Sequence, residues 1–94
     1  MRLDQFLRAS RLVLRRTVAQ EMCDAGAVEV NGATARSSRT VRAGDEILLR
    51  RRDHLLIARV IALPETRNVS KSESSTLYEI VKDERLEEAD AARL

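Results

Sequence analysis

Arg2, Arg8, Arg11, Arg15 and Arg16 crowd into the first sixteen residues, and seven further arginines, at positions 36, 39, 42, 50, 51, 52 and 59, follow before residue 61. No lysine stands among them, and only seven acids share the stretch, so it carries a surplus of five positive charges. Residues 61–94 reverse the balance, with five bases against eight acids, and the net charge of +2 conceals the division. A planar guanidinium pairs bidentately with phosphate and stacks on flat groups, whereas a lysine ammonium acts as a point charge. An arginine-only basic body followed by an acidic segment points to a polyanion-binding face with the acids kept away from it.

Other chemistries find little support. The single His54 and single Cys23 fall short of the four ligands of a structural zinc site, and one cysteine cannot form an internal disulfide. Cys23 reads as a small buried hydrophobe, and its isolation fits a reducing cytoplasm. No nucleophile is spaced with a base, no glycine-rich loop cradles a phosphate, and His54 has no sequence partner that would make it a base or a ligand. The expectation is a protein that is not an enzyme and uses no metal, cofactor or small-molecule substrate. No uncharged run approaches the roughly 20 residues that span a bilayer, so no membrane partner is expected.

The elements that must position these arginines fit one modest domain, because 94 residues contain 44% apolar but only 2% aromatic residues. Leu3, Phe6 and Leu7 recur at helical spacing with Asp4 in the first turn, and Arg2, Gln5 and Arg8 on the polar side. Val18, Ala19, Met22 and Cys23 form a second helical stripe, with Thr17 as its expected N-cap and Gly26 after its end. The period then changes to two at Val28 and Val30, and Asn31-Gly32 is a hairpin turn signal. Ala33–Arg36 returns from that turn, Ser37–Thr40 is a polar loop, and Ala43-Gly44-Asp45 is a further turn in which Asp45 is a turn residue. Strands are expected over Glu46–Arg50 and Leu55–Leu63, joined by a charged tip at Arg51–His54, before Pro64 stops pairing. Residues 65–76 read as a flexible connection, Leu77, Ile80 and Val81 as a short helical stripe with a strand over Leu77–Val81 as the alternative, and the acid-rich end after Lys82 as frayed. The division expected is 1–63 for the domain and 64–94 for a linker and acidic tail.

The segments Arg2-Leu3-Asp4-Gln5-Phe6-Leu7, Ser10-Arg11-Leu12 with Arg15-Arg16-Thr17, Gly26-Ala27-Val28-Glu29-Val30-Asn31-Gly32 and Val41-Arg42-Ala43-Gly44-Asp45-Glu46-Ile47 occur in an order that resembles the alpha-L RNA-binding domain, the domain named after small-subunit ribosomal protein S-four. The resemblance covers about two thirds of the chain and implies an α+β fold, two short helices packed on a small antiparallel sheet, to which the spacing of Leu77, Ile80 and Val81 adds a partly helical C-terminal tail. A free-standing domain beginning Arg-Leu-Asp resembles two bacterial groups, the small factor of ribosome-associated quality control and the heat-shock protein that binds free large subunits. Ser10-Arg11-Leu12, Arg15-Arg16-Thr17 and Leu77-Tyr78 favour the first, and the acidic tail speaks against the second. The partners so implied are large-subunit rRNA, peptidyl-tRNA and a partner protein that tails the stalled nascent chain, whereas the heat-shock relative would imply recycling.

On that resemblance Arg2, Arg8, Arg11, Arg15 and Arg16 form the first RNA-contact set, since they lie on or between the two helices of the family's RNA face. Arg16 leads the set, and its alternative is a salt bridge to Asp4 or Glu21. Arg36, Arg39 and Arg42 flank the hairpin and loop, where Ser37 and Ser38 can donate to phosphate. Arg50-Arg51-Arg52 reads equally as contact residues or as charges that discourage edge pairing. Asp4 either caps its helix or orients an arginine. Duplex RNA is read by shape, phosphates and 2′-hydroxyls, and without an exposed aromatic platform the chain is not built to stack single-stranded bases.

Overall fold

The computed structural model describes residues 1–66 and 68–85. Helix α1 (Leu3–Ala9) and helix α2 (Arg16–Asp24) precede strands β1 (Val28–Val30), β2 (Ala33–Thr34), β3 (Glu46–Arg51) and β4 (His54–Val60), a single-turn helix α3 (Lys71–Ser74) and strand β5 (Tyr78–Arg85). All strand pairs are antiparallel, in the spatial order β2-β1-β3-β4-β5. The α+β architecture is therefore the expected one.

The periodicities explain the packing. Leu3, Phe6 and Leu7 are fully buried on one stripe of α1, and Ala19 and Cys23 of α2 join them. Val28 and Val30 of β1 and Ile47 and Leu49 of β3 supply the sheet side of the same core, each from alternate positions of its strand. Asn31 and Gly32 both take positive φ, 52° and 85°, the conformation that lets a two-residue turn follow the strand twist. Asn31 also receives the Glu46 backbone N–H on its side-chain oxygen and donates to Asp45, so this turn is tied to the start of β3.

Five local expectations are corrected. Helix α2 starts at Arg16 after an extended Arg15, not behind a Thr17 cap, and no side chain caps it; this start puts Arg16 and Gln20 one turn apart, where both reach Asp4. Val18 lies outside the buried stripe, at 39% exposure. The segment from Leu77 is not helical: Leu77 is buried in the core, and seven of the next eight residues pair along the whole of β4, from Val60↔Tyr78 to His54↔Arg85, with Val81 unpaired at a bulge. Cross-strand pairs between Arg59 and Glu79 and between His54 and Asp83 suit that register, and β-branched Ile80 and Val81 favour it. The fraying expected after Lys82 is absent through Arg85, and residues 86–94 lie outside the described residues. Helix α3, capped by the Ser70 hydroxyl accepting the Glu73 N–H, falls within the connection expected to be irregular.

Candidate nucleic-acid interface

At the centre of the amino-terminal face is a buried carboxylate. Asp4, with no exposed side-chain surface, accepts from Arg2 Nε at 3.1 Å on Oδ1 and from Arg2 Nη2 at 3.3 Å, Arg16 Nε at 3.1 Å and Gln20 Nε2 at 2.9 Å on Oδ2. Its Oδ1 also accepts the Gln5 backbone N–H at 2.9 Å. Burial pushes the Asp4 carboxyl up, but hydrogen bonds from Gln20, Arg2 and Arg16 and the Arg16 charge outweigh it and hold the group at about 2, well below its ordinary value. Asp4 thus remains an anion that clamps two helices and two arginines together.

The alternative foreseen for Arg16, a bridge to Asp4, is present, and it leaves the guanidinium usable. Asp4 engages Arg16 through Nε, so the two terminal nitrogens keep their N–H groups, and the side chains of Arg2 and Arg16 retain 44% and 41% of their exposure. An arginine held by one edge offers its other edge in a fixed orientation, which lowers the entropy lost when phosphate binds.

The remaining arginines of the set continue the surface. Gln5, Arg8 and Arg16 line one depression with Met1 and Ala9, and Arg8 shares a second with Arg11, Leu14, Asn68 and Val69. Arg11 and Arg15 line a third, larger groove. Arg8 therefore links the Asp4 clamp to the interhelical loop, and each of the five arginines shares the clamp or a depression with the next. Arg11 adopts φ 62° directly after α1, a left-handed position that ordinarily favours glycine. Its N–H reaches the Arg8 carbonyl at 3.0 Å, while buried Ser10 donates to the Leu7 carbonyl and accepts the Leu12 N–H, so the arginine projects from a rigid turn.

The loop after the first hairpin is stitched to the same end of α1. Leu3 N–H donates to the Arg39 carbonyl at 2.7 Å and Asp4 N–H to the Ser37 carbonyl at 3.1 Å, Val41 N–H donates to the Met1 carbonyl, and Arg2 bridges Thr40. With Gln5 N–H on Asp4 and Phe6 N–H on the Arg2 carbonyl, every amide of the first helical turn is satisfied. This places Arg36, Ser37, Ser38 and Arg39 beside Arg2, and all but half-buried Ser37 are exposed. Arg42 belongs to a different local unit, the turn in which its N–H donates to Asp45, and among the described residues its side chain makes no hydrogen bond to either helix.

Sequence reasoning missed Gln20, whose position one turn after Arg16 was the available signal, and the brace from Arg51 Nη2 to the Leu12 carbonyl, for which no sequence signal exists. Among the described residues no group of three His, Cys, Asp or Glu side chains is arranged to hold a metal ion. Buried Cys23 has its thiol pushed up by burial, and further by the charges of Asp4 and Asp24.

An S4 domain profile matches residues 1–47, half of the chain. Over 84 residues the chain is 45% identical to a protein of Halalkalibacterium halodurans named RQC P-site tRNA stabilizing factor, covering 89% of this chain and 93% of that one. The Bacillus subtilis protein of the same name is 42% identical over 88 residues, covering 94% of this chain and 100% of that one. The trimeric structure of Vibrio cholerae heat shock protein 15 superposes with a TM-score of 0.76 at 30% identity, covering 86% of this chain and 81% of that one.

Proposed function

This chain belongs to the S4-domain family and, within it, to the group of RQC P-site tRNA stabilizing factors, and on that premise we propose that it is an RNA-binding factor of ribosome-associated quality control. It binds the split large subunit in the cytoplasm through rRNA and peptidyl-tRNA and supports a partner protein that extends the stalled nascent chain at its C-terminus. Its contribution is binding, not catalysis. The observation that carries the reading is the Asp4 clamp, which fixes Arg2 and Arg16 side by side on a face continued by Arg8, Arg11 and Arg15.

Arg2, Arg8, Arg11, Arg15 and Arg16 are the primary contacts in this proposal, and Arg36, Ser37, Ser38 and Arg39 extend them from the stitched loop. Arg42 is the outlying member. Rigid, spaced guanidinium groups suit folded RNA, whose recognition rests on backbone geometry. Asp4 and Gln20 act as positioning residues.

The structural likeness to heat shock protein 15 favours a second reading, binding of free large subunits for recycling. Sedimentation of the protein with purified large subunits, with and without tRNA in the P site, separates the two. The quality-control reading expects at least a tenfold gain with tRNA; equal binding in both samples favours recycling, and absence of binding to either removes both.

A further inference from the structure

An open groove of about 730 Å³ lies between the interhelical loop, α2 and the β3–β4 hairpin. Its rim is arginine: Arg11 and Arg15 on one side, Arg50, Arg51 and Arg52 on the other. Its floor is aliphatic, with Leu14 at 76% and Val18 at 39% exposure, next to half-buried Leu12 and Met22. Two rim arginines are engaged already, Arg50 with Glu29 and Arg51 with the Leu12 carbonyl. Arg11, Arg15 and Arg52 pair with no carboxylate among the described residues.

A ligand matching this groove needs carboxylates or phosphates for the rim and aliphatic surface for the floor. Duplex RNA presents phosphates and hydroxyls but no aliphatic surface, so a peptide with both kinds of side chain fits better. One lies nearby. Strand β5 ends at Arg85, which is paired with His54, itself paired with Arg51. The chain after Arg85 therefore starts two strand spacings, about 10 Å, from the β3 side of the rim. It continues Leu86-Glu87-Glu88-Ala89-Asp90-Ala91-Ala92-Arg93-Leu94, three acids and two leucines in nine residues, and nine residues reach up to about 30 Å when extended.

We infer that this groove is a peptide-binding site whose occupant is the chain's own acidic segment 86–94. Glu87, Glu88 and Asp90 match the uncommitted guanidinium groups of Arg11, Arg15 and Arg52, and the leucines cover the aliphatic floor. Because Arg11 and Arg15 also belong to the proposed RNA face, the segment competes with RNA for them; this consequence rests on the RNA reading, whereas the contact does not.

A nitroxide spin label on Leu94→Cys, in the full chain with Cys23→Ala, tests the contact through the methyl signals of Leu14 and Val18. Those signals are expected to broaden selectively, and to regain intensity when Glu87→Gln, Glu88→Gln and Asp90→Asn are introduced together. Unbroadened methyls, or broadening that the neutral tail leaves unchanged, would overturn the inference, since the latter reflects tethering without recognition. The unlabelled neutral-tail variant is further expected to bind RNA about threefold to tenfold tighter at low salt. Methyl effects without that gain keep the groove assignment and remove Arg11 and Arg15 from the RNA face.

Discussion

The residue that organises the amino-terminal face is an acid. Asp4 is fully buried and ionised, a state sustained only because five donors converge on it. Its folded pKa of about 2 lies below the ordinary carboxylate value, so the clamp contributes stability that is complete above pH 4 and is lost as pH falls through about 2. The difference is worth about 2 kcal/mol, and urea titrations between pH 6 and pH 2 are expected to show a loss of that size which Asp4→Asn removes. Arg16→Ala takes away one donor of the clamp along with a proposed contact, so a stability cost of about 1–2 kcal/mol is expected by denaturation, beside at least a tenfold loss in large-subunit binding. Arg16→Lys lacks the Nε that meets Asp4, and is not expected to restore binding fully. Arg11 separates the two effects. Its left-handed φ of 62° means that Arg11→Gly relieves backbone strain while adding chain entropy to the unfolded state, so stability should stay within about 0.5 kcal/mol while RNA affinity falls. A large change in stability with intact binding would place the role of Arg11 in the turn alone.

Among the elements, those closed by local signals were legible in the sequence and those closed by distant partners were not. Asn31-Gly32 announces its hairpin because the turn conformation depends on these two residues. Leu3, Phe6 and Leu7 announce α1 because a helical stripe repeats within one segment. Five residues from Leu77 to Val81 carry a helical stripe yet are short enough for a strand, and what decides for the strand is the open edge of β4, which lies outside that window. The same distance effect governs the site: the arginines are visible in the sequence, while the clamp that orients two of them depends on α1 and α2 meeting at Asp4 and Gln20. The sheet extension has an energetic consequence. Leu77 is 3% exposed within the core, so Leu77→Ala is expected to cost about 2–4 kcal/mol in chemical denaturation. A residue in a detached tail would cost nothing measurable. Hydrogen exchange offers an independent reading, since amides of an edge strand alternate between protected and exposed, whereas those of a helix are protected consecutively.

For the whole molecule, the arginines of the helical pair are successive neighbours within the basic stretch 1–60, and their effect on binding is a matter of counterions. Each guanidinium that neutralises a phosphate releases condensed cations, so affinity falls with salt in proportion to the number of such contacts. Five contacts from Arg2, Arg8, Arg11, Arg15 and Arg16 predict a slope of log affinity against log salt of roughly −3.5 to −4.5. Asp4 does not cancel this charge, because its single negative charge is shared between two arginines whose side chains remain more than 40% exposed. Replacing one contacting arginine by alanine should flatten the slope by roughly 0.7–0.9, whichever of the five is chosen, while Arg59→Ala should leave it unchanged. Arg59 is the natural control, since it is held between Glu46 and Glu79 on the β3–β4–β5 side of the sheet. Affinities measured between 50 and 300 mM salt for the parent and these variants check the count directly. A parent slope near −1, or one that no single replacement alters, would mean that the arginines of the helical pair do not meet the RNA backbone together.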